Sequence, residues 1–232
     1  MHVFIAGVQE VSSIDYPEHL ASVVFLQGCN LRCKFCHNSK DMVPKKKEPL
    51  ISIYKKLNKN LQVIDSVVLS GGEPTLQENA VLDIKDWCKK HGLKLGIETN
   101  GTFPARLKRL VEKNTFDFIA MDIKSAFNAK SYNLVTGNNK MFKQFEKSFE
   151  MVKKSRIPHE FRMTVVPTLH TLNDIEGINK IVKPSKLVLQ RFKPGDTVYD
   201  KALNNKTYPE TFVKDLKTWV KKNKNVEMRF WD

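Results

Sequence analysis

Three cysteines stand on one short stretch, Gly28-Cys29-Asn30-Leu31-Arg32-Cys33-Lys34-Phe35-Cys36-His37-Asn38, in the uneven spacing CxxxCxxC. Cysteine thiolates bind iron and zinc, and a closed structural zinc site or an ordinary four-iron cluster takes four protein ligands. A trio on one loop therefore leaves one metal corner open to a ligand that is not protein. The remaining cysteine, Cys88, lies in Val81-Leu82-Asp83-Ile84-Lys85-Asp86-Trp87-Cys88, where Leu82, Ile84, Trp87 and Cys88 read as an apolar stripe at helical spacing. That pattern predicts a core thiol rather than a fourth ligand. A zinc-stabilised binding module would need the fourth ligand and is the non-enzymatic alternative. No signal peptide precedes the cysteines, so disulfides are not expected, and the expected compartment is reducing and cytoplasmic.

Other reactive side chains recur at the ends of apolar runs. The first such run closes in Leu69-Ser70-Gly71-Gly72-Glu73-Pro74-Thr75, where two glycines let backbone approach a ligand and Glu73 brings a carboxylate to the same place. Further along stand Glu98 and Asn100 in Ile97-Glu98-Thr99-Asn100-Gly101, then Asp122 and Lys124 in Ala120-Met121-Asp122-Ile123-Lys124. Two later runs contribute Arg162, then Gln190 and Arg191.

Those residues need elements that bring them together. β-rich runs at 20–27, 66–70, 94–98, 117–123, 160–166 and 186–192 alternate with amphipathic segments near 50–60, 78–91, 104–113, 139–154, 172–183 and 207–223. Six such β/α units predict a parallel sheet with right-handed crossovers, as an open barrel or a twisted sheet, with ligands where the strands end. The runs Val3–Val8 and Val226–Phe230 read as accessory strands outside that count. With 232 residues, 41% of them hydrophobic, and no linker-like stretch, one domain over 1–232 is expected. No apolar run approaches the ~20 residues that span a bilayer.

The cysteine loop resembles that of the radical S-adenosylmethionine (SAM) enzymes, as does Gly71-Gly72-Glu73-Pro74, about forty residues on at a strand end. The resemblance implies a partial (β/α)6 TIM-like barrel. It implies a [4Fe-4S] cluster held by Cys29, Cys33 and Cys36 with SAM on the fourth iron, Phe35 near the adenine, and Glu73 on the SAM amino group. Glu98, Asn100, Asp122 and Lys124 match stretches that, in the glycyl-radical-enzyme activases, contact SAM and its ribose or hold a monovalent cation. A zwitterionic sulfonium ligand needs such paired carboxylate and ammonium partners. His37, Pro74, Arg162 and Gln190 join the expected cofactor-binding set.

Ser13-Ile14-Asp15-Tyr16-Pro17, Phe25-Leu26-Gln27-Gly28-Cys29-Asn30 and Cys36-His37-Asn38 narrow the resemblance to the activases. It is nearest to the activating protein of anaerobic ribonucleoside-triphosphate reductase and next to that of pyruvate formate-lyase. The latter pattern ends its sixth strand in a Pro-aromatic-His run, whereas Arg191-Phe192-Lys193 stands here. The implied activity is reductive SAM cleavage and installation of a glycyl radical on a partner enzyme, with flavodoxin or ferredoxin as electron donor. Two alternatives keep the chemistry and change the substrate: a 7-carboxy-7-deazaguanine synthase-like enzyme and an RNA-modifying enzyme. A net charge of +14 suits RNA, but only seven of the 39 Lys and Arg residues are arginine, and no aromatic-interleaved basic stripe accompanies them. Nucleic acid is therefore the weaker expectation.

Overall fold

The computed structural model describes residues 1–45 and 47–231. Within them nine strands make one sheet: β1 (His2–Ser12), β2 (Ala21–Leu26), β3 (Lys47–Pro49), β4 (Ser66–Gly71), β5 (Lys94–Thr99), β6 (Phe118–Asp122), β7 (His159–Val165), β8 (Lys186–Arg191) and β9 (Val226–Arg229). Their order is β3-β1-β2-β4-β5-β6-β7-β8-β9. Every neighbouring pair from β2 to β9 is parallel. Only β1 runs antiparallel to its neighbours, β2 and β3. The sheet keeps two separate edges, β3 and β9, as a partial barrel does.

The central strands form because their β-branched and aliphatic runs can be buried on both faces, as crossover connections require. In β2, Ala21, Val23, Val24 and Leu26 are all fully buried. The crossover helices α1 (Leu50–Asn58), α2 (Glu78–Lys90), α3 (Pro104–Glu112), α5 (Phe142–Lys154), α6 (Leu172–Val182) and α7 (Glu210–Lys221) lay apolar stripes on the outer face. In α2 that stripe is Ala80, Val81, Ile84, Trp87 and Cys88, so Cys88 is a core thiol, 1% exposed. α6 starts at a capping box in which Thr171 and Asp174 each satisfy the other's backbone N–H.

Strand alternation sorts the chemistry from the core. Val24, Leu26, Val67, Leu69, Ile97, Ile119, Phe161 and Leu189 face the helices. Their neighbours Val23, Val68 and Ala120 form a smaller cluster with Tyr16 and Phe118 on the other face. Continuing that face by twos reaches Ser70, Glu98, Asp122, Arg162 and Gln190. Tyr16 plugs the barrel below them, its ring 4.9 Å from that of Phe118. The Ser13–Pro17 segment is thus the floor of the barrel.

Two elements depart from expectation, the short edge strand β3 and one helix. Helix α4 (Ala129–Thr136) was not anticipated; it is only eight residues long and rests on its ends, an Asn128 side chain capping Ser131 N–H and Gly137 in the left-handed region. It leaves α5 to begin at Phe142 rather than 139. The two accessory strands stand outside the six units as expected: β9 extends the sheet at one edge by pairing parallel with β8, and the eleven-residue β1 flanks β2 on the other side.

Candidate active site

The cysteine loop follows β2 and is clamped from three sides by backbone hydrogen bonds. Gly28 N–H and Cys29 N–H donate to Asp41 and Met42 C=O, at 2.8 and 3.0 Å. Arg32 and Lys34 N–H donate to the last carbonyls of α4, Thr136 and Val135, at 2.9 and 3.0 Å. Tyr199 and Asp200 N–H donate to Cys36 and Lys34 C=O, at 3.1 and 2.8 Å. The unanticipated α4 is therefore part of the loop's seat: its terminal carbonyls, which no helix can satisfy internally, take the loop's amides.

Beside this loop, the turn after β4 approaches so closely that side chains are excluded. Gly71 holds φ +108°, and a Cβ there would lie 2.4 Å from Leu26 O; one on Gly72 would lie 2.1 Å from Gly28 O. Gly72 N–H donates to Leu26 C=O and Glu73 N–H to Gly28 C=O, both at 2.8 Å. Asn38 Nδ2 donates to Gly71 O at 2.9 Å, tying the end of the cysteine loop to the same turn.

Together they wall a cavity of about 210 Å³. The structure brings Cys29, Cys33, Phe35, Cys36, His37, Gly71, Gly72, Glu98, Asn100, Asp122, Lys124 and Gln190 to it, joined by Leu31, Asn38, Met42, Ser70 and Thr164. Three residues expected there stand elsewhere. Glu73 is fully buried, its carboxylate accepting from Thr75 N–H (3.1 Å), Thr75 Oγ1 (2.5 Å), Thr99 Oγ1 (2.8 Å) and Asn100 N–H (2.7 Å). Pro74 is buried as the first residue of a 3-10 turn. Arg162 lies behind the wall, its side chain 4% exposed and paired with Glu98 and Glu160; its Nη2 also donates to Asp15 C=O in the floor at 2.7 Å. Arg191 does not line the cavity and packs over the Tyr208 and Trp231 rings.

The far wall is charged. Ser70 Oγ donates to Glu98 Oε2 at 2.5 Å, while Glu98 Oε1 pairs with Arg162. Burial raises the Glu98 carboxyl above its ordinary range, and the Arg162 guanidinium pulls it back down. Lys124 Nζ donates to Asp122 Oδ2 at 2.6 Å; burial opposes the charge on this ammonium, and the Asp122 carboxylate holds it charged. Glu160 binds Arg229 at 2.7 and 2.9 Å, extending the ion network to β9. Burial is the largest influence on the thiols and raises all three; it pushes Cys33 up to about 12, with Lys124 opposing. Burial also lowers His37.

The donor set suits iron-sulfur ligation. All three thiols line the one cavity, and Asn100 Nδ2 reaches Cys29 Sγ at 3.6 Å. Among the described residues no three His, Cys, Asp or Glu side chains converge on one ion, whereas a four-iron cluster takes its cysteines at separate corners. Sequence reasoning missed Ser70, Thr164 and Asn38 because polar residues of these types are common beside turns. Position by twos along the inner face, from Val68 on β4 and from Arg162 on β7, would have found Ser70 and Thr164.

Residues 23–179 match the radical SAM superfamily. The chain belongs to it. Within the superfamily it belongs with the glycyl-radical enzyme activating enzymes. It is 34% identical over 214 residues to a "Putative glycyl-radical enzyme activating enzyme" of Methanocaldococcus jannaschii, covering 90% of this chain and 88% of the relative. It is 30% identical over 186 residues to the pyruvate formate-lyase-activating enzyme of Clostridium pasteurianum, covering 77% and 76%. Streptococcus suis SuiB bound to S-adenosylmethionine superposes with a TM-score of 0.65 at 13% identity, over 88% of this chain and 48% of SuiB. The chain thus spans about half of that structure. QueE from Escherichia coli gives 0.57 at 15% identity, over 99% and 94%. These likenesses show the fold, and the radical SAM family's cofactors are a [4Fe-4S] cluster and SAM. No helix among the described residues is long and apolar enough to cross a membrane.

Proposed function

We propose that this protein activates anaerobic ribonucleoside-triphosphate reductase, with the whole chain, 1–232, acting as one catalytic unit and a flavodoxin or ferredoxin delivering the electron. The observation that carries the activating role is the meeting, in one cavity, of a cysteine trio, a turn of bare backbone and a wall of paired charges. For the partner, support comes from the sequence motifs Ser13-Ile14-Asp15-Tyr16-Pro17, Phe25-Leu26-Gln27-Gly28-Cys29-Asn30 and Cys36-His37-Asn38, while Arg191-Phe192-Lys193 departs from the histidine-ended run of the pyruvate formate-lyase activases. Phe192 here is buried, its ring 5.7 Å from His37.

In this reading Cys29, Cys33 and Cys36 would hold the [4Fe-4S] cluster and leave one of its irons open to SAM. Bound there, cluster and SAM would supply one-electron reductive cleavage of SAM and hydrogen-atom abstraction from the partner's glycine. The chain's own residues position and enclose. Gly71 and Gly72 offer backbone to the SAM amino group, which no side chain could crowd. Lys124 would face the SAM carboxylate or ribose, and Asp122 and Glu98 its positive charge or a monovalent cation. Phe35 stands toward the adenine, with His37, Thr164 and Gln190 on the surrounding wall. Glu73 acts from behind: its carboxylate holds the Thr99–Asn100 turn, and Asn100 in turn reaches Cys29 and Asn30. Arg162 does the same for Glu98.

The test is anaerobic reconstitution with iron and sulfide, reduction, and addition of SAM with or without the reductase, read by 5′-deoxyadenosine and electron paramagnetic resonance. A glycyl-radical doublet that needs the reductase is expected. Cys33→Ala should lose the cluster and all SAM cleavage. Deoxyadenosine without radical transfer to the reductase, but with transfer to pyruvate formate-lyase, would replace the proposed partner.

A further inference from the structure

A buried histidine stands just outside the cavity wall. After β7 the chain folds back on itself, Leu169 and His170 N–H both donating to Val166 C=O at 3.2 Å. Thr168 holds φ +68°, a left-handed conformation uncommon for a β-branched residue. This turn returns the imidazole to the backbone it left: Val166 N–H lies 2.9 Å from His170 Nδ1, and His170 Nε2 lies 3.1 Å from Lys124 O. An amide N–H only donates and a carbonyl only accepts, so Nδ1 is the acceptor, Nε2 carries the hydrogen, and the ring is neutral. Burial favours the same state.

What the ring touches matters more than its charge. β6 ends at Asp122, and after Ile123 N–H donates to Arg162 C=O at 2.7 Å the chain leaves the sheet at Lys124. His170 grips that departing backbone. The same ring meets Phe35 edge to face, centroids 6.2 Å apart, while Lys124 Nζ sits 5.8 Å over the Phe35 ring. Phe35 belongs to a small cluster with Val135, Val166 and Phe192, apart from the main core. Its placement therefore depends on few neighbours.

We propose that His170 is a positioning residue for SAM: as the Nε2–H tautomer it fixes the Lys124 carbonyl and the edge of Phe35, and so sets where the ammonium and the aromatic face meet the ligand. The inference rests on the use of SAM and is indifferent to the partner.

The experiment compares wild type, His170→Gln and His170→Leu as reconstituted holoproteins. Glutamine offers one acceptor and one donor in place of the two ring nitrogens; leucine offers neither. Equilibrium SAM binding, without reductant or partner, is expected to weaken about tenfold in His170→Leu and to recover to within about threefold in His170→Gln. The KM for SAM should follow binding, while kcat for deoxyadenosine formation changes by less than about threefold. Nitrogen-15 spectra of the wild type should show a neutral Nε2–H ring for His170 that shifts when SAM is added. Unchanged SAM affinity in a fully iron-loaded His170→Leu, an Nδ1–H or protonated ring, or a ring resonance indifferent to SAM would each overturn the proposal. Should His170→Leu not load iron, the tautomer and the affinity of His170→Gln decide. A holoprotein that binds SAM as described yet transfers no radical to the reductase would overturn the proposed partner and leave this inference standing.

Discussion

The two walls of the cavity are built on different principles. On the β2 and β4 side, position is set by backbone: Gly71 and Gly72 lie so close to the Leu26–Gly28 backbone that no Cβ fits on either, and Gly72 and Glu73 N–H donate to Leu26 and Gly28 C=O. On the β5 to β9 side, position is set by side chains, in the Asp122–Lys124 pair and in a separate chain of ion pairs through Glu98, Arg162, Glu160 and Arg229. A backbone wall has no conservative substitution, whereas a charged wall redistributes its load when one member changes. The thiols and the bare turn share the first wall, where a rigid attachment is needed. The second wall is the one that would meet the zwitterion in the proposed reading.

This contrast can be broken at several points. Gly72→Ala has the largest expected effect, because the new Cβ meets a backbone oxygen that cannot move aside; a loss of ~3 kcal/mol or more and failure to load iron are expected from denaturant titration and iron analysis. If Gly72→Ala melts like wild type and loads iron, the backbone wall is not rigid. Glu98→Gln should cost about 2 kcal/mol, less than the roughly 3–5 kcal/mol of a stranded buried charge, because Glu160 still holds Arg162. A loss in Glu98→Gln matching that of Gly72→Ala would erase the distinction between the walls.

Glu73→Gln tests the residue between the walls. The amide must turn an NH2 toward Asn100 N–H or toward the Thr75 and Thr99 donors, leaving a buried donor without an acceptor, at about 1–2 kcal/mol. SAM affinity should fall only through the displaced Asn100 turn, by less than in Glu98→Gln, as equilibrium binding would show.

The smallest effect is a pH dependence. His170 is held at about 4 by burial, with its bond to Lys124 opposing, against ~6.5 in an unfolded chain. Between those values the unfolded chain binds a proton that the folded chain refuses. The contribution is therefore complete above pH ~6.5 and is lost as pH falls toward 4, about 1 kcal/mol of it between pH 7 and 5.5. Denaturant midpoints of wild type and His170→Gln should converge as pH falls, and parallel curves would assign the titration elsewhere.

Much of this molecule was legible along the chain because its signals are local. The CxxxCxxC spacing, the double glycine and six apolar runs each lie within a dozen residues, and strand alternation carries Ser70, Glu98, Asp122, Arg162 and Gln190 onto one face once the sheet is assumed. What escaped depends on contacts far apart in sequence. Helix α4 has little amphipathic pattern of its own and is fixed by the loop it supports a hundred residues earlier. His170 reads as an ordinary turn histidine until Lys124 is found at its Nε2. The run at 226–229 gains its place only from pairing with β8.

By itself, then, the sequence determined which groups are available and that a parallel sheet would gather them at its strand ends. Tertiary structure decided which of them face the ligand. Glu73 and Arg162 are turned away from the cavity because each finds several protein partners whose bonds outweigh what solvent would offer, while Asp122, the last residue of its strand, and Lys124, two residues on, remain on its wall. Sequence spacing fixes chemical identity, but orientation follows from where every buried donor and acceptor finds its partner, and those partners come from other strands.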